Sequence, residues 1–322
     1  MKKRQPTTNL PQTLQEAVVY FADQQRAHDH FVRIRWPHGV ACPRMGCGSA
    51  DVLRLKSPAR PRFRCKDCKR DFTAKVGTIF EDSPIPLTKW LPAIWMIANC
   101  KNGISSMELH RALGVTQKTA WFMLHRIRVA MGIAPDKPLS GEIEADETFI
   151  GGKRGAMGHR SRSGRRALAH GPSTGKTIVF GMIQRSTEAE RSKVHALVVP
   201  DYRRETLQPA IRKYVEEGSV LYTDAQRAYR GIAGYDHALV DHMIEFVSGS
   251  VHTNNIENFW LCLKRMVRGT YICPRPFHMQ AYVEEQVFRF NEREDNDAGR
   301  FAKASKNVDG KRLTYKVLTR RR

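Results

Sequence analysis

Apolar positions along the chain change period several times, and the changes divide it. In residues 13 to 31, Leu14, Ala17, Val18 and Phe21 recur at helical spacing, and Thr13 with Glu16 fits a capping box at the start. One amphipathic helix is predicted there. Three short strand-like runs follow: Val52-Leu53-Arg54-Leu55, Arg62-Phe63-Arg64-Cys65 and Asp71-Phe72-Thr73-Ala74. Pro84 and Pro86 punctuate a boundary. Leu87 to Ala98 reads as a helix, with Pro92 placed in its first turn. Ser105 and Glu108 cap the next helix, Gly114 ends it, and Thr116 caps another that runs to Arg128. Two short helices around a glycine turn form a helix-turn-helix pattern, and the stretch from Ala134 to Pro138 reads as a linker.

From Leu139 the period changes to that of strands. Glu142 to Gly152 alternates and ends on a glycine pair, and Thr177 to Ile183 and Val194 to Val199 are further strands. A helix from Thr206 to Val215 and a strand from Ser219 to Asp224 come next. Three successive strands, a helix, a strand and then helices outline an α/β fold of the RNase H-like type. The predicted domains are an N-terminal helix with a zinc ribbon (1–82), a helix-turn-helix region (83–136), a catalytic α/β domain (137–298) and a basic tail (299–322) that is disordered or contacts DNA.

Charge narrows the partners. Among 322 residues, 54 Lys and Arg face 32 Asp and Glu, a net charge of +22. Such an excess favours a polyanion, because neutralised phosphates release counterions. It is concentrated: Lys153 to Lys176 holds seven Lys or Arg and no acid. No apolar run reaches the length of a membrane span and no signal-peptide pattern follows the basic N-terminus. A cytoplasmic, nucleoid-associated protein is expected.

Seven cysteines without an export signal argue against disulfides. Cys42 and Cys47 form one spaced pair, and Cys65 and Cys68 another. Four thiolates so arranged suit a structural, tetrahedral Zn²⁺. Ribbons of this kind bind DNA, RNA and protein alike, so the motif names a metal and no activity. Cys100, Cys262 and Cys273 lack such spacing and read as ordinary buried thiols. Gly171 to Thr177 has the letters of a phosphate-binding loop. It has three residues between its glycines where four are needed, and it leads into a strand, so it is rejected as a nucleotide signature. In the second helix of the helix-turn-helix, Gln117, Lys118 and Thr119 stand where a recognition helix meets base edges, and Arg126 and Arg128 are candidates for phosphate.

Asp146 late in the first long strand, Asp224 at the end of the fourth and Glu257 on a later helix make a candidate catalytic set. Carboxylates at adjacent strand ends and one facing helix can share two Mg²⁺ (or Mn²⁺) ions about 3.5–4 Å apart, the arrangement for in-line displacement at phosphorus. Each acid has a plainer reading. Glu144 or Glu147 could replace Asp146, or the three could be a solvated edge. Asp224 could cap the following helix, and Glu257 could pair with a surface lysine. On that last helix Asn254, Glu257, Leu261 and Lys264 share one stripe, while Ile256, Phe259, Trp260 and Leu263 are packing residues. Lys264 could hold a phosphate.

The blocks Ala145-Asp146-Glu147-Thr148-Phe149-Ile150-Gly151-Gly152-Lys153, Tyr222-Thr223-Asp224-Ala225 and His252 to Trp260 with Lys264-Arg265 resemble insertion-sequence transposases of the IS1595 family, in its ISXO2-like branch. The cysteine pairs and Gly114 to Trp121 resemble that family's N-terminal half. The resemblance spans about residues 15 to 295. It implies a DDE-type DNA transposase that binds the inverted repeats of its element and performs metal-dependent cleavage and strand transfer. It carries the acids over as Asp146, Asp224 and Glu257, and Lys264 as the basic residue after the last acid. Asn254 becomes a helper that orients a ligand, water or backbone. Lys153, Arg154, Lys264 and Arg265 are expected to hold DNA, and pairing of two element ends implies at least a homodimer. The alternative is a catalytically inactive or domesticated relative acting as a DNA-binding regulator.

Overall fold

The computed structural model describes residues 10–55, 61–132, 137–151, 176–188, 190–224, 227–240, 253–272 and 274–320. The chain divides into two compact units, one formed by residues 1–131 with 293–322 and the other by 132–292. Among the described residues no helix is long and apolar enough to cross a membrane.

In the first unit, the single helix expected over 13–31 is two: α1 (Leu14–Ala22) and α2 (Gln24–Arg35). Thr13 and Glu16 do form the capping box of α1. The break falls at Asp23, whose carboxylate accepts the Arg26 amide at 2.6 Å and so caps α2. A polar residue able to bond the backbone two or three positions on offers an alternative to continuing the helix. Ala17, Phe21, Ala27 and Phe31 are buried with Trp90, Leu91, Ile94 and Trp95 of α3 (Leu87–Asn99). Pro92 lies in the second turn of α3, beyond the first turn where a missing N–H is free of cost. Burial of the large side chains around it holds the helix together.

Strands β1 (Val52–Leu55), β2 (Arg62–Cys65) and β3 (Asp71–Phe72) form an antiparallel sheet. Helices α4 (Ser106–Leu113) and α5 (Gln117–Met131) follow. The Ser105–Glu108 capping box starts α4, and Gly114 ends it in the left-handed conformation, φ 59° and ψ 43°. Thr116 Oγ1 accepts the Thr119 amide at 3.2 Å at the start of α5.

The second unit is built on a five-stranded sheet in the order β6-β5-β4-β7-β8: β4 is Glu142–Ile150, β5 Thr177–Gln184, β6 Lys193–Val199, β7 Val220–Asp224 and β8 Asp236–Val240. The first three are a meander, whereas β4, β7 and β8 run parallel. One face packs Ile143, Ala145, Phe180 and Met182 against Leu207, Ala210 and Ile211 of α6 (Arg204–Tyr214). The other packs Val179, Ile183, Val194 and Ala196 against α7 (Asn254–Met266) and α8 (Met279–Asn291). Strand alternation therefore sends odd-numbered residues of β4 toward α6 and even-numbered ones toward α7.

The chain then returns to the first unit. The segment beyond Asn296 is ordered into α9 (Asp297–Lys306) and α10 (Tyr315–Thr319), not a disordered tail. Phe301 lies 5.5 Å from the Phe21 ring and 5.1 Å from that of Trp95. Phe301, Ala304 and Val308 are buried at helical spacing. The density of basic residues hides this apolar stripe in the sequence.

Candidate active site

Strand pairing brings Asp146 and Asp224 together. Glu144 faces Tyr222 and Ala145 faces Thr223 in the parallel β4–β7 register, so the next step sets Asp146 beside Asp224 on one face, a strand spacing apart. That face meets α7. The Trp260 indole N–H donates to Asp146 Oδ2 at 2.8 Å, which fixes the carboxylate and places Glu257, one turn earlier, on the same side. Burial pushes the Asp146 carboxyl up to about 6; the Trp260 bond opposes this, and the negative charges of Asp224 and Glu257 reinforce it. The three acids thus share one field. Metal-free, Asp146 is a group whose folded pKa is raised, so its contribution favours the fold at low pH and is lost as pH rises through about 6.

Close approach of α7 depends on a glycine. Gly181 of β5 pairs with Asp146 across the antiparallel ladder. A Cβ at Gly181 would lie 2.5 Å from Cη2 of Trp260 and 3.0 Å from Cδ1 of Ile256. Glycine inside an apolar strand marks such an approach.

The neighbouring acids do different work. Glu144 is fully buried and anchors the start of α7. Its Oε2 accepts the backbone amides of Asn255 and Ile256, both at 3.0 Å, and its Oε1 accepts Asn255 Nδ2 at 2.7 Å and Arg185 Nε at 2.8 Å. A carboxylate at a helix N-terminus meets unsatisfied N–H groups and the positive end of the helix dipole. Arg185 also bonds Glu142 at 2.9 Å and lies over the Tyr222 ring. Glu147 points to the opposite face, where the Tyr229 hydroxyl donates to it, and burial pushes its carboxyl up to about 8. These three acids are therefore not one solvated edge.

Lys264 is half-buried two turns beyond Glu257. Burial lowers its pKa, as do the charges of Arg268 and Lys176, while Asp146 and Glu257 pull the other way. Its ammonium therefore belongs to the field of the acids. Arg265 is exposed on the same helix. Asn254 is exposed at the first residue of α7, and the amide that engages the strand is its neighbour Asn255. Lys153 and Arg154 lie outside the described residues.

In the first unit, the sulfurs of Cys42, Cys47, Cys65 and Cys68 all lie within 4.8 Å of one another. Cys42 and Cys68 are 3.9 Å apart and Cys47 and Cys65 3.6 Å. The Cys65 amide is bonded to Arg70 O and the Cys47 amide to Arg44 O, which closes the two knuckles. Four thiols converging on one point, without disulfide bonds, fit a tetrahedral divalent ion. Cys100 and Cys262 are half-buried, and Cys273 lies outside the described residues.

Of the residues expected at DNA, Gln117 and Lys118 are exposed at the start of α5 and Thr119 is half-exposed. Gln117 Nε2 donates to Ser106 Oγ at 2.7 Å. Arg126 and Arg128 require correction. They are buried, 5% and 1% exposed, because α5 turns that face into the core. Arg126 donates to Leu313 O at 3.0 Å and Glu81 O at 2.9 Å, so its charge is spent inside the unit.

Comparisons with known proteins agree with this architecture. Residues 138–291 match the ISXO2-like transposase domain, and residues 22–71 match the transposase zinc-ribbon domain. Over 285 residues the chain is 29% identical to a protein in transposable element ISH50 of Halobacterium salinarum, covering 84% of this chain and 93% of that protein. It is 33% identical over 106 residues to a transposase-like protein of Haemophilus influenzae, covering 32% of this chain and 85% of that protein. A mixed α/β domain behind a zinc ribbon, with these matches, makes the protein a transposase. The chain belongs to the IS1595 family, with an ISXO2-like transposase domain.

Proposed function

We propose that the protein is a DDE-type DNA transposase whose second unit is an RNase H-like domain, with Asp146, Asp224 and Glu257 as the ligands of catalytic Mg²⁺ or Mn²⁺. The observation that carries this reading is the position of Asp146 and Asp224 one step past the last paired residues of two adjacent parallel strands, with the charges of Asp224 and Glu257 acting on Asp146. An excess of like charge in one place, within a protein of net charge +22, calls for a cation. Glu144 and Glu147 are otherwise engaged, which supports Asp146 as the ligand from β4. When bound, the divalent metal supplies a Lewis acid for a water or 3′-hydroxyl nucleophile and for the leaving oxygen. Trp260 orients the Asp146 carboxylate. Lys264, with Arg265 beside it, neutralises a DNA phosphate near the reacting one.

In the first unit, α4 and α5 act as a helix-turn-helix that reads the inverted repeats through Gln117, Lys118 and Thr119, while the four cysteines hold a structural Zn²⁺. The domain boundaries are the ribbon, the helix-turn-helix region and the catalytic domain in that order, with pairing of two ends bringing at least two copies together. The test is an assay of end binding, cleavage and joining on DNA flanking the gene. Asp146→Ala, Asp224→Ala and Glu257→Ala should each abolish Mg²⁺-dependent strand transfer while end binding survives. Normal joining by all three variants overturns the assignment, and cleavage without joining by the wild type would mark a nuclease.

A further inference from the structure

Residues 311–320 lie along α5 in the opposite direction. Lys311 Nζ donates to Val129 O at 2.9 Å near the end of α5. Leu313 O accepts the Arg126 Nε at 3.0 Å one turn earlier. The Tyr315 ring then packs edge-on against Phe122 at 5.5 Å and Trp121 at 6.5 Å, and the Lys118 ammonium lies 4.9 Å from its centroid. Arg312 pairs with Asp82 and Glu81, and Leu318 is buried. Each step in sequence from 311 to 315 is thus a step toward the first turn of α5. Thr314 caps α10, its hydroxyl accepting the Val317 amide at 3.3 Å. Lys316, Val317 and Arg320 are exposed. From Lys311 onward the sequence contains Lys311, Arg312, Lys316, Arg320, Arg321 and Arg322 and no acid.

We propose that this segment is an arm of the DNA-reading surface, seated beside the start of α5, and that Lys316 and Arg320 contact backbone phosphates of the duplex whose bases meet Gln117, Lys118 and Thr119. The inference rests on the helix-turn-helix reading above. Arg126 and Lys311 take a new role in it: they stitch the arm to α5 from inside instead of touching DNA. Charge complementarity selects the ligand, since exposed cations on a segment seated beside a recognition helix fit a phosphate chain.

The full-length protein, its Lys316→Ala/Arg320→Ala variant and a Lys101→Ala/Lys306→Ala control are titrated with end-sequence and unrelated duplexes across a salt series. Lys101 and Lys306 are exposed in the same unit, so the control removes the same charge elsewhere. The arm variant should lose about tenfold or more in affinity for both duplexes, and its slope of log K against log salt should fall by about two. The control should keep the wild-type slope. Wild-type protein that binds both duplexes alike overturns the helix-turn-helix reading and the arm with it. Wild-type protein that prefers the ends, together with an arm variant of unchanged affinity and slope, overturns the arm alone, as does an equal loss in the control. Tyr315→Ala, which removes the ring that seats the arm, should reproduce the loss without removing a charge.

Discussion

Trp260 and Asp146 meet through one hydrogen bond, indole N–H to Oδ2 at 2.8 Å, over a glycine on the neighbouring strand. A tryptophan that serves as packing on one side of α7 thereby sets the direction of a carboxylate on β4.

Trp260→Phe keeps an aromatic side chain, smaller than the indole, and deletes the donor. It should lower the rate of strand transfer by about ten- to a hundredfold, in the range seen when a group orienting a metal ligand is lost, and weaken Mn²⁺ binding measured by electron paramagnetic resonance. The smaller ring leaves a cavity in this buried site and should also cost about 1–3 kcal/mol of stability, so joining is compared at a temperature where both proteins are folded. Gly181→Ala adds a methyl that would sit 2.5 Å from the Trp260 ring, so α7 must lift from the sheet. It should cost about 1–3 kcal/mol of stability, as overpacking does, and reduce joining as well. Full activity and Mn²⁺ affinity in both variants would dissociate this contact from catalysis.

Glu144 should matter more to stability than any of the proposed ligands. It is a fully buried charge held by two backbone amides, one side-chain amide and Arg185. Glu144→Ala leaves Arg185 without its buried partner and the first turn of α7 without an acceptor. Removing one member of a buried pair costs about 3–5 kcal/mol, which a denaturant titration would read directly. Asp224→Ala should be far milder in the same titration. A Glu144→Ala protein as stable as the wild type would show that the anchor is dispensable.

The sheet was legible because its strands announce themselves: Glu142 to Ile150 alternates, and the β5 and β6 runs are apolar and bounded. Asp146 and Asp224 could be grouped from the order of the strands, although Asp146 stands in the middle of β4 and only Asp224 ends its strand. What the sequence concealed was the division of labour among Glu144, Asp146 and Glu147. Three acids within four positions look alike as letters, and only the parity of β4 and the partners on each face separate them. Gly181 carries a readable signal of close approach, a lone glycine in an apolar strand. Strand β8 had no such signal. A basic residue such as Arg126 in a basic protein suggests DNA, whereas helical spacing from Ala120, Met123 and Ile127 sets its face of α5 against the core.

Acid should loosen the first unit through His30. The ring is 5% exposed, stacks on Phe301 and packs against Phe21, and its Nε2 has no hydrogen-bond partner among the described residues. Burial lowers its pKa from 6.5 to about 4, with the Arg33 charge adding to the shift. The folded state therefore binds the proton more weakly than the unfolded chain. Stability from this group is fully present above the unfolded value near 6.5 and is lost as pH falls through about 4. The whole shift corresponds to roughly 3–4 kcal/mol. A highly positive chain also loses stability in acid by general repulsion, so the wild type alone is uninformative. His30→Leu keeps an apolar side chain of similar bulk and removes the titration. The difference in unfolding free energy between wild type and variant should be constant above pH 7 and shift in favour of the variant between about pH 6.5 and 4. His195, buried beside Tyr214 in the second unit and also lowered to about 4, would still titrate in both proteins and so cancels in the difference. A difference that stays flat across that window would mean that His30 is protonated equally well folded and unfolded.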